Sequence, residues 1–226
     1  LRALSGSGIE DGLTLGSGVP PLDRPHSCGG RGPTPKCVGQ TSTSIVEILV
    51  MNSDTPLDVL VITASNGENL KLAERFQASA RSLGQRAELL DLTTLDLPLF
   101  TPRAQAAHGI PTAIAPLQEL LATTPRWVIC APEYNGSIPP CLSNAIAWLS
   151  VQGDDFRGLF NGRPIAIATH SGGGGMEALI SMRIQLAHLG AEVVGRQLLS
   201  NYAKPANDDS IDDLLQRLLQ QQPLKL

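Results

Sequence analysis

No apolar run in this chain approaches the ~18 residues that a membrane-spanning helix needs, so no span is expected. Nor is there a block of like charge: 17 Lys and Arg stand against 21 Asp and Glu, a formal net charge of -4. A nucleic-acid partner, which calls for a basic stripe to neutralise phosphates, is therefore not expected. A small anionic ligand is not excluded, because main-chain N–H groups hold a phosphate without a single Lys. The four cysteines, Cys28, Cys37, Cys130 and Cys141, form no CxxC and no metal-ligand spacing, so no metal site is expected. Cys130, within WVICA, reads as a buried thiol, and a reducing, cytoplasmic setting follows as the simplest expectation. The glycine-rich dinucleotide fingerprint and the pattern GxxxxGK[ST] are also missing. What remains is 42% apolar and 17% charged, the composition of a globular protein with one sizeable core.

The first 50 residues include 24 Gly, Pro, Ser or Thr, in stretches such as SGSG, LGSGVPP and CGGRGPTP. Little periodic apolar surface is present there to offset the entropy of ordering the chain. Residues 1–50 are expected to be a low-complexity extension, disordered or non-native, with Met51 as the native start and 51–226 as the folded domain. Within that extension IVEILV, Ile45 to Val50, could pair as an edge strand. Four basic residues balanced by four acidic ones argue against a targeting peptide.

From Leu57 short apolar, β-branched runs alternate with helical periodicity. LDVLVIT (57–63), AELLDL (87–92), RWVICA (126–131), PIAIAT (164–169) and AEVVGRQLL (191–199) read as strands with both faces covered. Helical spacing is predicted from Leu70 to Leu83, about Thr112 to Thr123, Cys141 to Leu149, and Met176 to Leu189. Ser210 and Asp213 suggest a capping box for a last helix carrying Ile211, Leu214, Leu215, Leu218 and Leu219. A long proline-bearing connection runs through LPLFTPR. Five strands with intervening helices predict a doubly wound α/β domain, helices on both faces, with ligand-binding loops at the carboxyl edge of a parallel sheet.

Three of those loops carry unusual chemistry. In TASNGEN, Ser65, Asn66 and Asn69 offer hydroxyl and amide donors beside the unsatisfied N–H groups of a helix start, and Gly67 permits close approach. Glu68 would have to point away from a bound dianion. In APEYNGSIPP, a strand ending at Pro132 and a turn through Gly136 would present Glu133, Tyr134, Asn135 and Ser137 to a flat ring. Pro139 and Pro140 stiffen the exit, and Pro140 suits a first helical turn. In THSGGGGME, four successive glycines, Gly172 to Gly175, would cost on the order of 1 kcal/mol each in regular structure, which favours a role for exposed backbone, with Ser171, Gly172, Gly173 and Gly174 as candidates. His170 is a candidate for touching a ligand or donating a proton. His108 and His188 read as surface or helix-end residues.

APEYNGSIPPCLSNAIAWLS (131–150), followed by HSGGGGMEALISMRIQLAHLGAEVV (170–194), resembles the NAD(P)H-dependent FMN reductases, a flavodoxin-like group that includes quinone, azo-dye and chromate reductases. The likeness spans roughly Leu57 to Leu219. It implies a five-stranded parallel sheet in the order 2-1-3-4-5, noncovalent FMN, NADPH or NADH as hydride donor, and a small-molecule electron acceptor. Carried over by position, Ser65, Asn66 and Asn69 fall in the phosphate loop. Pro132, Glu133, Tyr134, Asn135, Gly136 and Ser137 line the flavin, and Ser171 to Gly174 approach its other edge. No residue is assigned as general acid or base. A homodimer or homotetramer is implied, with the helix after PEYN near the interface and Trp148 within it. The first loop departs from the pattern GSxRxxS: Ala64 replaces the glycine, the loop is shorter and the arginine is missing. A flavodoxin-like electron carrier reduced by a partner protein, and a non-catalytic interaction protein on the same fold, remain alternatives.

Overall fold

The computed structural model describes residues 44–52 and 55–225. The expectations for residues 1–43 lie outside this range. Among the described residues the chain forms α1 (Ile45–Met51), β1 (Val59–Thr63), α2 (Glu68–Ser82), β2 (Ala87–Asp91), a 3-10 turn at Leu92–Thr94, α3 (Pro102–His108) and α4 (Ile114–Thr123). There follow β3 (Trp127–Cys130), α5 (Pro140–Leu149), β4 (Pro164–Ser171), α6 (Met176–His188), β5 (Glu192–Val193), β6 (Leu198–Asn201) and α7 (Asp208–Leu219).

The sheet runs β2-β1-β3-β4-β5, all parallel, with β6 also paired to β4. This is the flavodoxin-like order expected from the resemblance. Alternation along each strand divides the core in two. Val59 and Val61 of β1 meet Phe76 of α2 and Leu214 of α7 on one face. Leu60 and Ile62 meet Leu117 of α4, Ile146 of α5 and Leu179 of α6 on the other. With both faces covered, β1 and β3 are buried along their whole length, which explains their unbroken apolar sequences. The register sets Thr63 beside Asp91 and Cys130, and Cys130 beside Ala168, while β4 continues three residues farther to Ser171. The loops after β1, β3 and β4 therefore leave one edge of the sheet side by side.

Four local expectations are corrected. IVEILV is helical: Ser44 Oγ accepts the Glu47 N–H at 3.2 Å, and the Glu47 carboxylate accepts the Ser44 N–H at 2.8 Å. This capping box outweighs the β-propensity of Ile and Val, and Ile45 and Ile48, three apart, bury together in the core. The helix straddles the expected boundary at Met51. AEVVGRQLL makes two short strands laid end to end along β4, β5 against Pro164–Ile165 and β6 against Ala168–Ser171, with Val194 to Gln197 between them. The cap of α7 is Asn207, whose side chain accepts the Ser210 N–H at 2.8 Å, so Ser210 lies inside the helix. The connection through LPLFTPR contains α3, started by Pro102 after the Thr101 cap.

Candidate active site

The first loop ends β1 and starts α2. Thr63 Oγ donates to the Ser65 carbonyl at 2.8 Å, turning the chain as the strand finishes. Gly67 caps α2 without a side-chain bond, and Leu70 N–H returns to the Gly67 carbonyl at 3.0 Å. The N–H groups of Gly67, Glu68 and Asn69 find no acceptor among the described residues, which is the state of a helix start ready to take an oxyanion. Glu68 does turn aside: its carboxylate takes a 2.7 Å hydrogen bond from Lys71. That bond holds the Glu68 carboxyl below its ordinary pKa and the Lys71 ammonium above its own.

Ser65 is buried and Asn66 is exposed. Asn69 does something different from the donor role expected of its amide. It is 2% exposed, its Nδ2 donates to the His170 carbonyl at 2.8 Å, and its Oδ1 accepts the His170 N–H at 2.8 Å. The physical reason lies in the sheet. Ala131 N–H still reaches the Ala168 carbonyl at 3.1 Å. Two residues on, β3 has turned away, so the next inward-facing peptide groups of β4 would be bare. The Asn69 amide, donor and acceptor in one group, takes the place of the missing strand. The amide is thus engaged with protein, and Asn69 offers an anion its main-chain N–H.

The second loop is a tight hairpin. Tyr134 N–H bonds the Ser137 carbonyl at 3.0 Å and Ser137 N–H bonds the Tyr134 carbonyl at 3.1 Å. Asn135 and Gly136 fill the two central positions at φ 52° and 72°, the left-handed pair of a type I′ turn. Tyr134 stands 50% exposed at its tip. Pro132 is buried, while Asn135, Gly136 and Ser137 are exposed. Glu133 reaches across to α6, where Oε2 accepts the Ala178 N–H at 3.4 Å, a favourable place for a carboxylate at a helix start. Thr169 Oγ donates to the Ala131 carbonyl at 2.7 Å and binds the base of this loop to β4. Cys141 Sγ donates to the Ala64 carbonyl at 3.1 Å, linking the start of α5 to the first loop, and burial raises its thiol pKa.

In the third loop, Gly173 N–H donates to Ser171 Oγ at 3.1 Å. A Cβ on Gly172 would meet nothing within 4 Å, so the main chain there is open. Gly175 is the constrained position: at φ 76° it caps α6, and a Cβ would lie 3.0 Å from Ser171 Cβ and 3.1 Å from Thr169 Cγ2. The expected residues are thus brought to one edge, through Asn69 to His170, Glu133 to Ala178, and Thr169 to Ala131.

Sequence reasoning missed β6 and the loop that follows it. Ser200 Oγ lies 3.0 Å from His170 Nδ1, and the Tyr202 ring meets the imidazole edge-on at 4.9 Å between centroids. Only the pairing of β6 with β4 brings these residues here. The Asn144 and Trp148 of NAIAWLS serve a structural purpose. Asn144 accepts the Phe100 N–H at 2.8 Å and donates to Leu97 and Pro98, and Trp148 Nε1 donates to the Pro98 carbonyl at 2.7 Å. Trp148 is 1% exposed and packs edge-on against Phe100, so its ring is absent from the protomer surface where an interface role was expected.

The sheet order and the three loops at its carboxyl edge define a flavodoxin-like protein. Residues 57–204 match the NADPH-dependent FMN reductase family, and the chain belongs to that family. It is 33% identical over 124 residues to a quinone reductase of Escherichia coli (strain K12), covering 52% of this chain and 64% of that protein, and so spans less than two thirds of that relative. Against an NAD(P)H-dependent FMN reductase of Pseudomonas aeruginosa the identity is 30% over 145 residues, 62% of this chain and 75% of the other. Among solved structures, the flavoenzyme FerB of Paracoccus denitrificans, an NAD(P)H:(acceptor) oxidoreductase, superposes with a TM-score of 0.54 at 24% identity, covering 73% of this chain and 92% of that one. At that identity the likeness concerns the fold. Among the described residues no helix is long and apolar enough to cross a membrane.

Proposed function

We propose that this protein is an FMN-dependent oxidoreductase that takes hydride from NADPH or NADH and delivers electrons to a quinone or similar small acceptor. The observation that carries this reading is the meeting of three loops at one sheet edge, one of them a helix start with three N–H groups facing no acceptor. FMN fits these residues. Its phosphate suits the N–H groups of Gly67, Glu68 and Asn69 with Ser65 and Asn66 alongside, because a helix start favours negative charge. The hairpin from Pro132 to Ser137 and the open backbone of Gly172 to Gly174, beside the buried Ser171, suit a flat ring that needs donors along its polar edge. When bound, FMN supplies the hydride-accepting chemistry, and the protein supplies position and electrostatics. The Glu133 bond to α6 and the Asn69 bonds to β4 keep the loops in fixed relation, so little ordering entropy is lost on binding. A homodimer or homotetramer in the cytoplasm belongs to the same reading.

Anaerobic titration tests it. The purified protein is loaded with FMN and its visible spectrum followed on addition of NADPH, then NADH. Bleaching of the bound flavin by either nucleotide, and its return on adding a quinone, is the expected result. Failure to bind FMN, or bound FMN inert to both nucleotides, overturns the proposal. Inert FMN that a partner reductase does bleach would identify an electron carrier.

A further inference from the structure

We infer that His170 recognises the phosphate of FMN, with its Nε2–H as a side-chain donor that the first loop itself lacks; this rests on the function proposed above. The segment Thr63–Asn69 contains no Lys or Arg, and the nearby Lys71 is paired with Glu68. His170 is fastened to the first turn of α2 by the two Asn69 bonds of 2.8 Å. Strand alternation puts its ring on the α2 side of the sheet, since Ala166 and Ala168 of β4 pack in the cluster that holds Phe76 of α2.

We take the tautomer in which Nδ1 is the acceptor. Ser200 Oγ accepts the Ala206 N–H at 3.0 Å and has its own proton to give to His170 Nδ1, 3.0 Å away. The ring proton then sits on Nε2. That nitrogen is buried and has no partner among the described residues. A buried donor without an acceptor is costly, and retaining one beside a helix start with three unoccupied N–H groups points to an anionic oxygen that satisfies all of them. Tyr202, 74% exposed, covers the imidazole and can swing aside without disturbing the core.

The test compares FMN with riboflavin, which lacks the phosphate, by quenching of flavin fluorescence. In a glutamine the amide N–H reaches the place of Nε2, whereas in an asparagine it reaches only that of Nδ1. His170→Asn is expected to weaken FMN binding by about tenfold or more and leave riboflavin unchanged, the size expected for one hydrogen bond to a charged group. His170→Gln should keep most of the FMN affinity. Equal losses for the two flavins, equal behaviour of the two variants, or undiminished FMN binding by His170→Asn overturns the inference while wild-type binding leaves the proposed function standing. Wild-type protein that binds neither flavin removes both. Thermal melts of both variants without flavin confirm that each is folded before the affinities are compared.

Discussion

The Asn69 amide stands in for a strand that has ended, and removing it measures what that substitution is worth. Asn69→Ala removes two part-buried hydrogen bonds of 2.8 Å, and leaves the N–H and C=O of His170 without partners. Each bond has a net worth of about 1 kcal/mol, and orphaned main-chain groups raise the total, so a loss of about 2–4 kcal/mol is expected. For a domain of this size that lowers Tm by roughly 4–16 °C, at about 2–4 °C per kcal/mol. Urea denaturation of the flavin-free protein at pH 7 measures it, with the m-value checked for constancy. Asn69→Asp sharpens the test. A carboxylate still accepts the His170 N–H but faces the His170 carbonyl with an oxygen, so it should be destabilised at neutral pH and regain stability as acid protonates it and restores a donor. A loss below about 0.5 kcal/mol for Asn69→Ala would show that the amide does not stand in for a strand, since even two part-buried bonds at about 0.5 kcal/mol each come to more.

Other positions give independent checks. Gly175→Ala combines φ 76° with contacts of 3.0 and 3.1 Å and should cost about 1–3 kcal/mol, whereas Gly172→Ala, with open space at its Cβ, should change stability by less than about 0.5 kcal/mol; urea unfolding of both separates backbone strain from mere glycine content. Ile48→Ala removes a side chain that is 0% exposed and should cost about 2–5 kcal/mol, while Val50→Ser on the outer face of α1 should be close to neutral; equal, small effects would detach α1 from the core. Burial pushes the Cys130 thiol far up, so above about pH 8.5 the unfolded chain loses a proton that the folded chain keeps, and stability should fall by about 1.4 kcal/mol per pH unit from this residue. Cys130→Ala should flatten that decline when urea midpoints are compared between about pH 8.5 and 10. An unchanged slope would contradict the burial argument.

The fold was legible where a local pattern could have only one tertiary meaning. The unbroken apolar strands at β1, β3 and β4 required cover on both faces, and the alternation with helical spacing made parallel crossovers the natural connection. The same logic misread IVEILV, since β-branched residues suit a strand until a capping box and burial of Ile45 and Ile48 in the core beside α4 make a helix better. AEVVGRQLL likewise looked continuous, because nothing local says that β4 is long enough to pair with two separate pieces.

At the site, the sequence by itself determined the three loops: Asn135-Gly136 is a turn signal, the run Gly172 to Gly174 exposes backbone, and a polar segment ahead of a helix offers free N–H groups. These features depend on bonds within a few residues, which is why they can be read locally. Tertiary structure alone decided that the Asn69 amide serves β4 and that Glu133 caps α6. It also decided that Ser200 and Tyr202 frame His170. Each of those contacts joins segments far apart in the chain, and the sheet order and register that bring them within hydrogen-bond reach are set by packing over the entire core.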